Sequence, residues 1–134
     1  MAQVRMKTAG TTEKGSIVEM EAPRSRRGDD HRSNCAVEAA LGVIGGRWKG
    51  VVLYWLLKGG KHRFGELRRR IPSCTERMLT VQLRELEEDS LVSRTVFAEV
   101  PPRVEYELTA FGRSLEPVLL GLREWGERYK RRLV

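Results

Sequence analysis

The chain has 134 residues, with 25 Lys and Arg against 18 Asp and Glu, and so carries a net charge of +7. That length holds one domain with a single core, and the basic excess favours a polyanionic partner, nucleic acid ahead of an anionic membrane surface. The longest apolar run, VVLYWLL from Val51, is far short of the roughly 20 residues a membrane span requires. The opening residues lack the continuous hydrophobic region of a signal peptide, so the expected location is the cytoplasm.

Residues 1–33 are rich in Gly, Thr, Ser and charges and include PRSRRGDDHRSN. Their composition predicts a disordered basic arm, with Arg24, Arg26 and Arg27 available to DNA phosphates or simply solvated. A folded domain is expected over 34–134. From Cys35, CAVEAALGVIG spaces Val37, Ala40, Leu41 and Ile44 as one helical stripe before a glycine pair ends it. RWKGVVLYWLLKGG then predicts the most buried helix, with Trp48, Val51, Val52, Trp55 and Leu56 inward and Gly59 and Gly60 as terminator.

In RFGELRRRIP, Phe64, Leu67 and Ile71 share a face that Arg68, Arg69 and Arg70 avoid, and Pro72 ends the helix. After a tight turn, Ser73 and Thr75 compete as N-cap for a helix running to about Asp89. Wound at about 100° per residue, that helix sets Met78, Leu79, Leu83 and Leu86 against Arg77, Thr80, Val81 and Arg84. The first group needs a core. The second needs an explanation, because an apolar Val81 stands among cations.

Beyond Leu91, VSRTVFAEV and RVEYELT are β-branched and aromatic, and Val104, Tyr106 and Leu108 alternate strictly. Pro101 and Pro102 lie between them, so 92–108 reads as a hairpin with a stiffened tip bearing Arg103. Thr109 then caps a long helix whose apolar stripe runs from Phe111 to Leu133, with a kink expected at Pro117. That stripe is longer than one small core requires, and its end at Trp125 and Tyr129 suggests burial against a second copy.

Two short helices joined by a tight turn and followed by a hairpin are the order of a winged helix-turn-helix, a mainly α fold with a small β-hairpin. In that geometry the helix 75–89 enters the major groove of double-stranded DNA. Arg77 and Arg84 can then fork onto guanine, Thr80 can bond either way, and Val81 can meet a thymine methyl. Ser73 and Thr75 sit at helix N-terminal amides suited to a phosphate, and Lys61, Arg63 and Arg103 are further backbone or minor-groove candidates. The competing reading makes Arg77 and Arg84 a solvated face, with Arg84 paired to Glu88 one turn on. Confinement of seven cations against Glu66 and Glu76 between Lys61 and Arg84 favours DNA.

The motifs CAVEAALGVIGGRWK, RFGELRRRIP, TERMLTVQLRELEEDSLVSRT and EVPPRVEYELTAFGRSLEPVL together resemble the HxlR-type family of bacterial winged-helix transcription regulators, relatives of the MarR-like group. The resemblance covers Cys35 to about Trp125. It implies a homodimer built from the first and last helices, here through Val37, Leu41, Leu119, Leu122, Trp125 and Tyr129. It further implies a palindromic operator, and regulation, as a repressor, of adjacent genes. Two positions depart from the family pattern: Ala36 follows Cys35 where proline is frequent, and Ser90 stands where glycine is usual. Ser90 is therefore expected at positive φ at modest cost.

Cys35 matches the N-terminal cysteine that several members of that family use to sense oxidants, quinones or aldehydes. Its place at a helix N-terminus, where the helix field favours an anion, suits a thiol switch, although a packed, inert thiol is an equally ordinary outcome. Cys74, in the turn before the reading helix, is expected to be structural. Cys35, Cys74, His31 and His62 lack the close spacings of a metal site. No nucleophile with a base, phosphate-cradling loop or carboxylate pair marks an enzyme, and no cofactor is implied. The alternative function is a winged helix that binds a protein partner without sequence-specific DNA binding.

Overall fold

The computed structural model describes residues 4–7 and 35–133. In chain order these form β1 (Val4–Lys7), α1 (Ala36–Ile44), α2 (Lys49–Gly59), β2 (His62–Arg63) and α3 (Phe64–Arg70). There follow α4 (Glu76–Glu88), β3 (Val92–Phe97), β4 (Arg103–Leu108), α5 (Ala110–Arg113) and α6 (Glu116–Leu133). The sheet order is β1-β3-β4-β2; β4 pairs antiparallel with both neighbours and β1 runs parallel to β3.

The core lies between the helices and the inner face of the hairpin. Val52, Leu53 and Leu56 of α2, Leu67 of α3 and Leu79, Leu83 and Leu86 of α4 are buried there with Val92 and Leu108 of the sheet. The inward face of α2 differs from the expected stripe: Leu53 is 0% exposed while Val51 is 38% exposed. A continuous apolar run has no polar positions to mark its faces, so periodicity alone could not choose between them. Met78 likewise lies outside the core on α4, exposed beside Gln82. One turn into the helix, Leu79 already fills the inward position.

Thr75 wins the competition for the N-cap of α4: its Oγ1 accepts the Met78 N–H at 3.0 Å. At the other end Ser90 adopts φ of 64°, as expected for a residue standing where a left-handed helix stop is needed. The long C-terminal helix is two helices. Thr109 caps α5, its Oγ1 accepting the Gly112 N–H at 2.9 Å, and α5 ends at Arg113 before α6 starts at Glu116. Pro117, in the first turn of α6, lacks the N–H that a continuous helix would need there, so the expected kink becomes a break.

Gly112 makes the close approach of α5 to the hairpin possible. A Cβ there would stand 2.2 Å from the Leu91 carbonyl oxygen. The same corner is tied by the Thr109 hydroxyl, which donates to the Ser90 carbonyl at 2.7 Å.

The sequence leads one to expect disorder over 1–33. Four of those residues, Val4–Lys7, instead pair along β3 in the register Val4 with Arg94 through Lys7 with Phe97. A four-residue strand is too short to show a period, and its order comes from the sheet edge it joins. The remainder of the expected arm, with Arg24, Arg26 and Arg27, lies outside the described residues.

Candidate nucleic-acid interface

The outward face of α4 is as the periodicity places it. Arg77, Thr80, Val81 and Arg84 are exposed and, with Glu76, line one shallow depression. The Thr80 hydroxyl donates to the Glu76 carbonyl at 2.9 Å. Its hydrogen is thus engaged with the backbone, which leaves its oxygen only as an acceptor, a role suited to the amino group of adenine or cytosine.

Two inward anchors fix how that face is presented. On α4, Glu85 receives an ion pair from Lys49 of α2, a lysine whose side chain is nine-tenths buried. Glu87, 3% exposed, packs where α4 meets the sheet. Burial pushes its carboxyl up to about 7, against the smaller opposing pull of Arg94 and Arg84. Neither residue stood out in the sequence as functional, yet both occupy apolar-stripe positions: Lys49 three and four residues before Val52 and Leu53, Glu87 four after Leu83. A charge at such a position is the signal that could have found them.

Lys61 and Arg63 are exposed on either side of His62, which is buried. The Gly60 carbonyl, 2.7 Å from Nδ1, can only accept, so Nδ1 carries the hydrogen and Nε2 accepts from Arg70 Nε at 3.2 Å. Arg70 in turn lies over the Trp55 ring. The Arg63 N–H donates to Glu66 Oε1 at 2.8 Å, and this bond, helped by the charges of Arg63 and Arg69 and opposed by partial desolvation, holds the Glu66 carboxyl below its ordinary range. The start of α3 is thereby locked in place with Lys61 and Arg63 outward. Ser73 is exposed in the turn beside Thr75 but caps nothing, whereas Cys74 between them is fully buried, and burial pushes its thiol up against the pull of Arg68 and Arg47.

Arg103 is where the hairpin reading predicts, but its charge is shared. It pairs with Glu99 at 3.2 Å, reaches Glu105 at 3.9 Å and lies over the Phe97 ring. Cys35 occupies the N-cap position of α1 and is exposed.

Of the expected dimer residues, Val37 and Leu41 on α1 are exposed, as are Leu122 (55%), Trp125 (58%) and Tyr129 on α6; the last two rings stack 5.4 Å apart. Leu119 does not belong with them. It is 2% exposed, packed into the core of its own chain, because α6 also lies against α2 and turns that position inward.

A buried helix pair joined by a tight turn, a hairpin beside it and a solvated basic face on the second helix define a winged helix-turn-helix, a fold used by many transcriptional regulators. The HxlR-like helix-turn-helix family model matches residues 43–133, and the chain belongs to that family. It is 55% identical over 104 residues to the HTH-type transcriptional regulator YdeP of Bacillus subtilis, a match spanning 78% of this chain and 80% of YdeP. Among solved structures, the redox regulator HypR in its reduced form matches with a TM-score of 0.70 and 56% identity, covering 74% of this chain and 97% of HypR. Reduced YodB from B. subtilis matches with a TM-score of 0.62 and 34% identity, covering 72% of this chain and 95% of YodB.

Proposed function

We propose that the chain acts in the cytoplasm as a homodimeric repressor, laying α4 in the major groove of each half of a palindromic operator and the hairpin along the flanking backbone. The observation that carries this reading is the outward row Arg77, Thr80, Val81 and Arg84. It offers two guanidinium forks, an acceptor and an apolar contact on one exposed face, at the end of a helix held firmly from behind. Lys61 and Arg63 at the start of α3 take phosphates, and the amides near Ser73 and Thr75 another. The apolar surface of Val37, Leu41, Leu122, Trp125 and Tyr129 is the seam between two copies, and it sets the half-sites about 34 Å apart. For a single chain it would be a large apolar patch left in water.

Cys35 is the proposed signal input, supported by its exposure at the N-cap of α1, next to the dimer seam. Two relatives support the idea in kind: HypR has been solved in oxidised and reduced forms, and YodB in diamide-treated and quinone-bound forms. The buried Cys74 is a structural thiol.

Mobility shifts on the DNA flanking its own gene test the function. Binding is expected to fall with salt at a slope of about −0.9 per phosphate neutralised. Arg77→Ala and Arg84→Ala each lose about 1 to 3 kcal/mol of base discrimination while the fold survives. A chain that captures a protein partner and shifts no promoter fragment would replace this reading with that of an interaction module. For the switch, a diamide pulse should change operator affinity in the wild type and leave Cys35→Ser unmoved.

A further inference from the structure

Resting on the function above, we propose that β1 is a fourth strand of the wing and that it brings Lys7 to the DNA as a backbone contact. The hairpin is poorly suited to DNA by itself. Residues 92–108 hold two arginines, Arg94 and Arg103, against Glu99, Glu105 and Glu107, a net charge of −1. Its tip cation is already engaged with Glu99 and Glu105. Adding Val4–Lys7, with Arg5 and Lys7, turns the sheet edge to a net +1.

The register makes the addition specific. Across β1, β3 and β4, Met6 falls in the row of Val96 and Val104, an apolar row, and Arg5 in the row of Thr95 and Glu105, which holds a carboxylate. Lys7 falls in the row of Phe97 and Arg103 at the tip. Two strand spacings of about 4.8 Å put Lys7 and Arg103 about 10 Å apart at the backbone, in the row nearest the tip. The parallel sense matters, because the opposite direction would carry Lys7 to the base of the hairpin. Main-chain pairing to an open edge needs little sequence, which suits so short a segment. The strand also covers the edge of β3 that would otherwise stand open to other chains. It lies outside the stretch 43–133 matched by the family model.

The test separates strand from charge, using the full chain throughout. Arg5→Pro with Met6→Pro removes an inward N–H whichever neighbour donates it, and should speed amide exchange in Arg94–Phe97 of β3. Lys7→Gln should leave that exchange unchanged but, with two copies of Lys7 on each bound dimer, lower the salt slope by about 1.8, so that the affinity lost between 50 and 200 mM salt shrinks about 12-fold. The double proline variant should show at least the same loss of slope. Unaltered exchange in β3 for the proline variant overturns the docked strand. An unaltered slope for Lys7→Gln, in a chain that binds its promoter, overturns the contact. A wild-type chain that binds no promoter overturns the regulator reading and the role of Lys7 with it, while the exchange result still decides the strand.

Discussion

Glu87 makes the stability of the fold around α4 depend on pH in a direction opposite to the usual carboxylate. Burial raises its carboxyl from an ordinary 4.5 to about 7, and Oε2 finds no hydrogen-bond partner among the described residues. The folded chain therefore holds a proton that the unfolded chain releases. Below pH 4.5 both states are protonated and the group costs nothing. As pH rises from 4.5 towards 7 only the unfolded state ionises, so stability falls, and above about 7 the loss is complete. That interval, at about 1.36 kcal/mol per pH unit, amounts to about 3 kcal/mol. Urea unfolding of wild type and Glu87→Gln at half-unit steps from pH 4.5 to 8.5 isolates this group. The variant should gain about 3 kcal/mol relative to wild type across the series, with the gain concentrated below pH 7. A difference between the two that stays flat in pH would refute the burial argument. So would a difference that moves in the opposite direction, which would mean that Arg94 and Arg84 outweigh desolvation.

Leu53→Ala should cost about 2 to 5 kcal/mol in chemical unfolding, whereas Val51→Ala, on the rim of α2, should stay within about 0.5 kcal/mol. Reversed values would restore the stripe expected from sequence. Ser90→Gly relieves a side chain at positive φ and should raise the midpoint by the equivalent of about 1 kcal/mol, measured by thermal melts. Trp125→Ala breaks the stacked pair with Tyr129 on the apolar face of α6. If α6 forms the proposed seam, sedimentation should show the variant dissociating at concentrations where the wild type stays paired, with the far-UV spectrum unchanged; a wild type that sediments as a monomer would refute the seam.

The parts of the molecule that were legible in its sequence are those where polar and apolar residues alternate. In α4, Leu79, Leu83 and Leu86 alternate with Thr80, Val81 and Arg84, so helix and outward side follow from one period, and so does the buried side apart from Met78. The hairpin announced itself through Val104, Tyr106 and Leu108. Where the pattern is saturated, as in VVLYWLL, the period carries no information and does not mark Leu53 as inward. Leu119 departs from the expected seam for a different reason: α6 has one apolar side against its own chain and another left exposed, and spacing alone does not say which one faces inward. Long-range partners were beyond reach in principle. The Lys49 to Glu85 pair spans 36 positions, and the pairing of Val4–Lys7 joins segments about 90 apart.

The interruption at Ser114 and Leu115 separates two kinds of attachment. On one side of it α5 is pinned to the corner of the wing by Thr109 and by the tight seat of Gly112. On the other side α6 starts anew and carries the exposed aromatic pair. In the proposed pair of chains joined along α6, the pitch between the two heads is thus set by the two-residue joint together with the seat of Leu119 against α2, outside both the seam and the grip on DNA. Strain arising in the seam would re-aim the heads only by shifting α6 over α2, with Leu119 as the resisting point.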